Sequence, residues 1–213
     1  LRMKVVIFGA TGATGRLAVV EALAAGHQVV AVARSPDKVP PAPGLVVVQG
    51  DIGDPASISR VLQGADAVIS AVGHVSGSPP DLMKTFATAL VPAMKQAGVT
   101  RLIVQLGAGV SLAADPPAGF GRRAFIAVMR WFAAAILDDN QAFAEVILVS
   151  RLDWTIARPP RLTNGPKTGQ THAAAYLPLG ASHSVSRADL AVFLVSQLSE
   201  PAFVQQAPMV TGA

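Results

Sequence analysis

Three glycines near the start of the chain have the spacing of a phosphate-binding turn. Gly9, Gly12 and Gly15 form a G-x-x-G-x-x-G pattern that directly follows an apolar, β-branched run, residues 4–8. Glycine allows a tight strand-to-helix turn and a close approach of the main chain to an anion. The N–H groups in the first turn of the following helix then face that anion. The pattern predicts a dinucleotide site, with a merely structural glycine turn as the alternative.

Basic residues follow the second predicted strand, residues 28–33. Arg34 stands where NAD-binding proteins place an acid that hydrogen-bonds the ribose 2′-hydroxyl, and Lys38 comes shortly after it. A guanidinium matches the 2′-phosphate of NADP, whereas a carboxylate would repel it. The competing acid, Asp37, is expected to point into a turn after Pro36. The sequence therefore favours NADP(H) over NAD(H), with ordinary solvated charges as the alternative.

Two further segments lie at predicted strand ends. Asp51 and Ile52 follow the third strand, where the Asp51 carboxylate can accept a hydrogen bond from an adenine amino group or serve as a turn or cap residue. Ala71, Val72 and Gly73 close the fourth strand, where small residues let a nucleotide lie against the backbone. The carboxyl ends of parallel strands face the crevice in which doubly wound sheets bind ligands. Both segments are therefore expected to border the same cleft.

Strand and helix signals alternate along the chain, as βαβ units require. The predicted strands cover residues 4–8, 28–33, 45–49, 67–72, 102–106 and 154–157, and the predicted helices cover residues 17–25, 54–62, 81–97, 122–149 (as two pieces) and 187–198. Long loops are predicted over 107–121 and 161–180, and an edge strand over 208–210. The fold class is therefore α/β, a Rossmann-like doubly wound parallel sheet. Since no repeat or linker is visible, residues 1–213 are expected to form one domain, with a small substrate-side portion at about 107–185.

Composition excludes several classes of protein. Hydrophobic residues make up 51% and charged residues 14% of the chain, which suits a sheet covered on both faces and argues against disorder. The net charge of +4 is scattered, and aromatics are only 5%, so no nucleic-acid surface is expected. The absence of cysteine excludes disulfides and thiolate metal sites. His172 and His183 have no carboxylate pattern that suggests a metal.

No membrane partner is expected either. No stretch reaches the roughly 18 uncharged apolar residues that span a bilayer, and the most apolar one, residues 124–137, is interrupted by Arg130. No signal peptide is recognisable at the start of the sequence. The expectation is a cytoplasmic protein that is a monomer or a homodimer, the latter pairing through an apolar surface at 125–137.

These motifs resemble the atypical short-chain dehydrogenase/reductases, in particular the NmrA-like proteins and the biliverdin reductase B (flavin reductase) group. The resemblance rests on residues 4–15, 34–38, 50–52, 153–159 (DWTIARP) and 186–190 (SRADL). It covers nearly the whole chain, and its glycine motif is specific for the superfamily but not for a substrate. The resemblance implies that an NAD(P) cofactor lies against Gly9, Thr11, Gly12, Ala13, Thr14, Gly15, Arg34, Lys38, Asp51, Ile52, Ala71, Val72, Gly73, Leu106, Gly107 and Pro159. It also implies that Arg158 lies near the nicotinamide pocket.

The chain departs from this family at the positions for acid–base chemistry. Short-chain dehydrogenases carry Tyr-x-x-x-Lys, in which the lysine lowers the tyrosine pKa, but the single tyrosine here, Tyr176, has Gly180 four residues on. Gln105 stands where a serine often ends the fifth strand. Alcohol–ketone chemistry and sugar epimerisation are therefore poorly supported, and no catalytic residue is assigned.

The sequence favours an NADPH-dependent oxidoreductase that transfers hydride to a planar flavin-, quinone- or tetrapyrrole-like acceptor. Such a transfer can proceed when the protein positions the cofactor and the acceptor, and the proton can come from solvent. One alternative is a non-catalytic, NADP(H)-sensing regulator of the NmrA-like kind. The other is an NAD(P)-dependent epimerase or dehydratase, which ranks last because the short C-terminal portion leaves little room for a nucleotide-sugar. The candidate substrate contacts are His74, Gln105, Asn140, Phe143 and Tyr176; a surface loop histidine and a plain core aromatic are the alternatives for His74 and Phe143.

Overall fold

A six-stranded parallel sheet forms the centre of the computed structural model, which describes residues 2–113, 115–117, 120–178, 182–200 and 202–212. Its strands are β1 (Lys4–Phe8), β2 (Gln28–Ala33), β3 (Leu45–Gln49), β4 (Ala67–Ser70), β5 (Arg101–Gln105) and β6 (Asp153–Ala157). The strand order is β3-β2-β1-β4-β5-β6 and every neighbouring pair is parallel. This is the order of a doubly wound dinucleotide-binding sheet, so the predicted fold class is confirmed.

In the part of the chain that the structure describes, five α-helices cover the two faces of the sheet. They are α1 (Gly15–Ala24), α2 (Pro55–Val61), α3 (Leu82–Ala97), α4 (Phe120–Leu148) and α5 (Arg187–Ser199). Helices α1 and α5 pack together, and α3 packs between α2 and α4. The backbone of Ala133 is not helical, so α4 consists of two helical pieces, as its sequence suggests.

The core consists of one apolar layer on each face of the sheet. Val6 and Phe8 of β1 pack toward α2, α3 and α4, whereas Val5 and Ile7 pack toward α1 and α5, and all four are fully buried. The ring of Phe8 meets that of Phe86 edge to face, with centroids 5.1 Å apart. Strands that are buried on both faces need apolar side chains at every position, which explains the near-continuous hydrophobic runs in the sequence.

The predicted loop at 161–180 contains strands instead. Four short strands follow the main sheet: β7 (Arg161–Thr163), β8 (Thr171–Ala174), β9 (Ser184–Ser186) and β10 (Met209–Gly212). β7 pairs with β9, and β10 pairs antiparallel with β8, so the predicted edge strand at 208–210 lies in a separate two-stranded sheet. Strands of three or four residues are too short to show the alternation by which strands are recognised in a sequence.

A buried carboxylate holds the segment after β7 against α5. Asp189 accepts hydrogen bonds from the N–H groups of Thr168 and Gly169, at 2.7 and 2.8 Å, and from the hydroxyls of Thr168 and Ser186, at 2.9 and 2.8 Å. Ser186 also caps α5 by accepting from the N–H of Asp189. Burial opposes ionisation, but these hydrogen bonds favour the charged form, and the pKa of Asp189 is lowered.

Replacing Asp189 by asparagine is expected to lower the free energy of unfolding at neutral pH by about 2 kcal/mol, because charge-assisted hydrogen bonds are lost. Since the folded-state pKa is lowered, the contribution of Asp189 is present above the unfolded value of about 3.9 and is lost as pH falls through the folded-state pKa. The difference in free energy of unfolding between the wild type and the variant should therefore narrow below about pH 4. Urea unfolding at a series of pH values measures this difference. A difference that stays constant with pH would contradict a stabilising role for the Asp189 carboxylate.

No helix in the part of the chain that the structure describes is long and apolar enough to cross a membrane. The predicted cytoplasmic location and the predicted monomer or homodimer remain predictions.

Candidate functional site

The glycine turn joins β1 to α1 at the edge where the parallel strands end. Gly9 has φ +76°, which favours glycine, and a Cβ there would lie 2.7 Å from the backbone of Ala71 at the end of β4. A Cβ on Gly15 would overlap the carbonyl of Gly9. The N–H of Gly12 donates to the Gly9 carbonyl at 2.9 Å. Gly9 and Gly15 are therefore required by the close approach of β1, β4 and α1.

The rim of this turn is open to an anion. Thr11, Gly12 and Ala13 are exposed. Thr14 is buried at the N-cap of α1, but its side chain makes no capping hydrogen bond. N–H groups in the first turn of a helix have no partner within the helix, and here no side chain caps them. The N-terminus of α1 thus offers donors and a positive dipole end to a phosphate.

Two cations lie at the end of β2, the strand next to β1. Arg34 directly follows β2, and Lys38 ends a short 3₁₀ turn that also contains Asp37. Both basic side chains are exposed, and neither forms an ion pair with any residue that the structure describes. They are available to a phosphate group, as the sequence predicts.

Asp51 forms a turn after β3. Its Oδ1 accepts the N–H of Gly53 at 2.8 Å, while its own N–H donates to Ser57 Oγ at 3.3 Å. The side chain is exposed, and the neighbouring Ile52 packs partly against the core. Asp51 therefore acts as a turn residue, as one of the two predicted alternatives required. The contacts of Asp51 and Ile52 with adenine remain predictions.

A cavity of about 160 Å³ lies at the carboxyl ends of β4, β5 and β6. It is lined by Val72, Gly73, Gln105, Leu106, Gly107, Asn140, Pro159, Pro160 and Leu162. Seven of these were predicted as cofactor or substrate contacts, from four separate parts of the sequence. Doubly wound sheets bind ligands at this edge. Among the residues that the structure describes, none with an ionisable side chain lines the cavity.

Gln105, which lines this cavity, carries an unsatisfied polar atom. Its Oε1 is buried and has no hydrogen-bond partner among the residues that the structure describes. A buried carbonyl without a donor costs roughly 1–3 kcal/mol, and native proteins rarely leave one unpaired. A ligand that carries an N–H group would satisfy this oxygen.

His74 lies beside the cavity rather than on the surface, which corrects the loop-histidine alternative. Its side chain is only 8% exposed, and Nε2 lies 2.9 Å from Asp139 Oδ2, at an angle that does not make a hydrogen bond. The Asp139 carboxylate accepts the N–H groups of Met83 and Lys84 at 2.7 and 2.9 Å, and so caps α3 from α4. Asp139 was missed by the sequence analysis. The one available signal was a pair of acids, at 138 and 139, within an apolar helix.

Two predicted substrate contacts lie elsewhere. Phe143 is fully buried in the core, with its ring 6.2 Å from that of Phe86, so the prediction that it contacts a ligand is wrong. Phe143 has apolar neighbours on both α3 and α4, which explains why the residue at this position is aromatic. Tyr176 is partly buried after β8 and is not among the residues that line the cavity. The apolar surface predicted at 125–137 includes side chains outside the described residues.

Arg158 connects several substrate-side segments through hydrogen bonds. It is fully buried and donates to both carboxylate oxygens of Asp115, at 2.6 and 2.9 Å. It also donates to the carbonyls of Val110, Ala175 and Ala207, at 3.1, 3.0 and 2.8 Å. These groups come from the segments after β5, after β8 and before β10. Arg158 therefore supports the walls of the site and does not itself line the cavity, whereas the next residue, Pro159, does. That Arg158 lies near the nicotinamide remains a prediction.

In the described ranges no three His, Asp or Glu side chains come together in a way that could hold a metal ion. The arrangement can bind a phosphorylated dinucleotide along the strand ends and hold a planar ring at the cavity. The described lining offers positioning and hydrogen bonding there, and it contains no side chain that could act as a general acid or base.

Comparison with known proteins agrees with this geometry. A family model described as NAD(P)H-binding matches residues 9–201. The structure of the oxidoreductase ylbE from Lactococcus lactis superposes with a TM-score of 0.82 at 22% identity, covering 99% of this chain and 91% of that one. The anaerobilin reductase ChuY from Escherichia coli O157:H7 superposes with a TM-score of 0.76 at 24% identity, covering 97% and 96%.

A candidate exported protein from Burkholderia pseudomallei is 30% identical, with a TM-score of 0.74 and coverage of 98% and 99% of the two chains. The match of the family model over most of the chain confirms the predicted nicotinamide-cofactor family. This chain is a member of the NAD(P)H-binding family of Rossmann-fold proteins.

Proposed function

We propose that this protein is an NADPH-dependent reductase that passes hydride to a planar, conjugated acceptor of the flavin, quinone or tetrapyrrole kind. The observation that carries this proposal is the cavity at the ends of β4, β5 and β6, whose described lining holds a ring but contains no acid or base. Hydride transfer to a conjugated acceptor needs positioning, and its proton can come from solvent. The anaerobilin reductase ChuY, similar in fold, supports a tetrapyrrole-like acceptor.

The residues present fit such a cofactor. The open rim at Thr11–Ala13 and the uncapped N-terminus of α1 suit a pyrophosphate, and the unpaired cations Arg34 and Lys38 suit a 2′-phosphate. A Cβ at Gly73 would meet no atom within 4 Å, so the backbone at the end of β4 is open to a ring. When bound, NADPH supplies the hydride. The chain's own contribution is to hold the ring against Val72 and Gly73, and to exclude water with Pro159, Pro160 and Leu162.

The test follows nicotinamide absorbance for NADPH and NADH separately, with FMN, a quinone or biliverdin as acceptor. Acceptor-dependent oxidation of NADPH, much faster than that of NADH, is expected. Lys167→Ala is a suitable control, because Lys167 pairs with Glu21 on the surface of α1, and it should behave as the wild type. Tight NADPH binding without reduction of any acceptor would contradict a reductase.

A non-catalytic NADP(H) sensor is the second candidate, and the same lack of an ionisable lining residue favours it. A sensor must distinguish the oxidised from the reduced cofactor, so its affinities for NADP⁺ and NADPH should differ strongly. Epimerisation needs a group that removes a proton from carbon, and the described cavity lining supplies none. The epimerase alternative therefore ranks below both.

A further inference from the structure

We infer that Gln105 and Asn140 are the residues that select the acceptor, by binding a neutral edge on which an N–H lies beside a carbonyl. Such an edge is a lactam or an imide. This inference rests on the proposed function and narrows its substrate class. The two residues lie on different elements, the end of β5 and the second piece of α4, and meet at the same cavity.

Gln105 supplies the hydrogen-bond acceptor of the pair. Its Oε1 is buried without a partner, and burial of an unpaired carbonyl is tolerated where a ligand completes the hydrogen bond. Because the described lining carries no charge, a neutral N–H matches this oxygen better than an ammonium group, which would lose its hydration without an opposite charge.

Asn140 supplies the complementary donor. Its side-chain amide lines the cavity and makes no hydrogen bond with the described residues. The preceding residue, Asp139, is held by two N–H groups at the start of α3, so this turn of α4 is fixed in place. One carboxamide oxygen and one carboxamide N–H₂ on a single wall match a ligand that presents an N–H and a carbonyl side by side.

The strand order assigns this wall to the acceptor and not to the nicotinamide. β4 lies between β1, which carries the glycine turn, and β5. A dinucleotide that runs from the glycine turn reaches Val72 and Gly73 first, and these form the near wall of the cavity. Gln105 and Asn140 form the far wall. They are therefore placed to contact the molecule that lies beyond the nicotinamide ring.

The chemistry of this edge separates the three acceptor classes. The terminal rings of an oxidatively opened tetrapyrrole such as biliverdin are lactams, and the flavin ring carries N3–H between two carbonyls. A quinone offers carbonyls alone and leaves the Gln105 oxygen unpaired. A site built to hydrogen-bond an N–H discriminates against an analogue that lacks it.

The decisive experiment compares riboflavin with N3-methylriboflavin, whose imide N–H is blocked, as acceptors for NADPH oxidation. The wild type is expected to favour riboflavin by about tenfold or more in kcat/KM. Gln105→Met, of similar length but without the acceptor oxygen, should abolish this preference. Gln105→Glu keeps an acceptor oxygen at the same place and should retain a preference for riboflavin. Asn140→Leu should lower kcat/KM for riboflavin while leaving the affinity for NADP⁺ unchanged.

The outcomes separate this inference from the proposed function on which it rests. Equal rates with the two flavins in the wild type would overturn the inference alone, and that result needs no variant to fold. A Gln105→Met variant with weakened NADP⁺ binding and an intact preference for riboflavin would also overturn it, because Gln105 would then serve the nicotinamide carboxamide. If NADPH binds but no flavin, quinone or biliverdin is reduced, the proposed function fails and the inference fails with it.

Discussion

The double replacement Arg34→Ala/Lys38→Ala is expected to weaken NADPH binding by about a hundredfold or more and to leave NADH binding within about twofold. Hydrogen bonds to charged groups contribute roughly 1.5–3 kcal/mol each, so two lost contacts with a 2′-phosphate give this ratio. NADH has a hydroxyl at that position and forms no charged contact there. Both side chains are exposed and have no described acidic partner, so their removal is not expected to disturb the fold. Titration of cofactor fluorescence at fixed salt measures both affinities.

Arg60→Ala provides a control for the loss of one positive charge. Arg60 lies on α2 and donates to the carbonyl of Gln49 in β3, so its removal changes net charge without removing a side chain that follows β2. It should lower the affinities for the two cofactors by similar, small factors. Equal losses for NADPH and NADH in the double variant would show that Arg34 and Lys38 do not contact a 2′-phosphate.

The cofactor half of the site was predictable because its signals are local in sequence. Gly9 and Gly15 are six residues apart, and the close approach of β1, β4 and α1 excludes a side chain at either position. Arg34 and Lys38 flank one turn at the end of a strand that its apolar run already identifies. Strand order then follows from the alternation of elements, since right-handed crossovers leave few ways to connect them. Local pattern and topology together therefore predict where a dinucleotide lies.

The substrate half was less predictable because its contacts join distant residues. The Asp139 carboxylate meets the N–H of Met83 across 56 positions, and Arg158 meets Asp115 across 43. Neither pair has a periodic signature, and a buried charge looks like a solvated one in the sequence. Phe143 was predicted to contact a ligand but lies in the core. An aromatic residue on an apolar helix face is compatible with either position, and only the packing of the folded chain decides between them.

Replacing Arg158 by methionine is expected to lower the free energy of unfolding by about 3–5 kcal/mol. Methionine fills a similar volume but removes the guanidinium that donates to the Asp115 carboxylate and to the carbonyls of Val110, Ala175 and Ala207. Arg158→Lys keeps the charge but cannot form the paired hydrogen bonds to Asp115, so its free energy of unfolding should lie between those of Arg158→Met and the wild type. Urea unfolding of the three proteins measures these free energies.

Two comparisons test whether the cost comes from losing the countercharge of a buried carboxylate. Arg130→Met removes an arginine from the Arg130–Asp138 pair, whose side chains are 54% and 59% exposed, and should cost less than about 1 kcal/mol. The double variant Arg158→Met/Asp115→Asn should be more stable than Arg158→Met alone, because it also removes the buried negative charge that the guanidinium neutralises in the wild type. A double variant less stable than the single one would instead assign the loss to the carbonyl contacts. In either case the wall of the cavity at 105–107 depends on segments that Arg158 holds, so acceptor reduction should fall further than NADP⁺ binding.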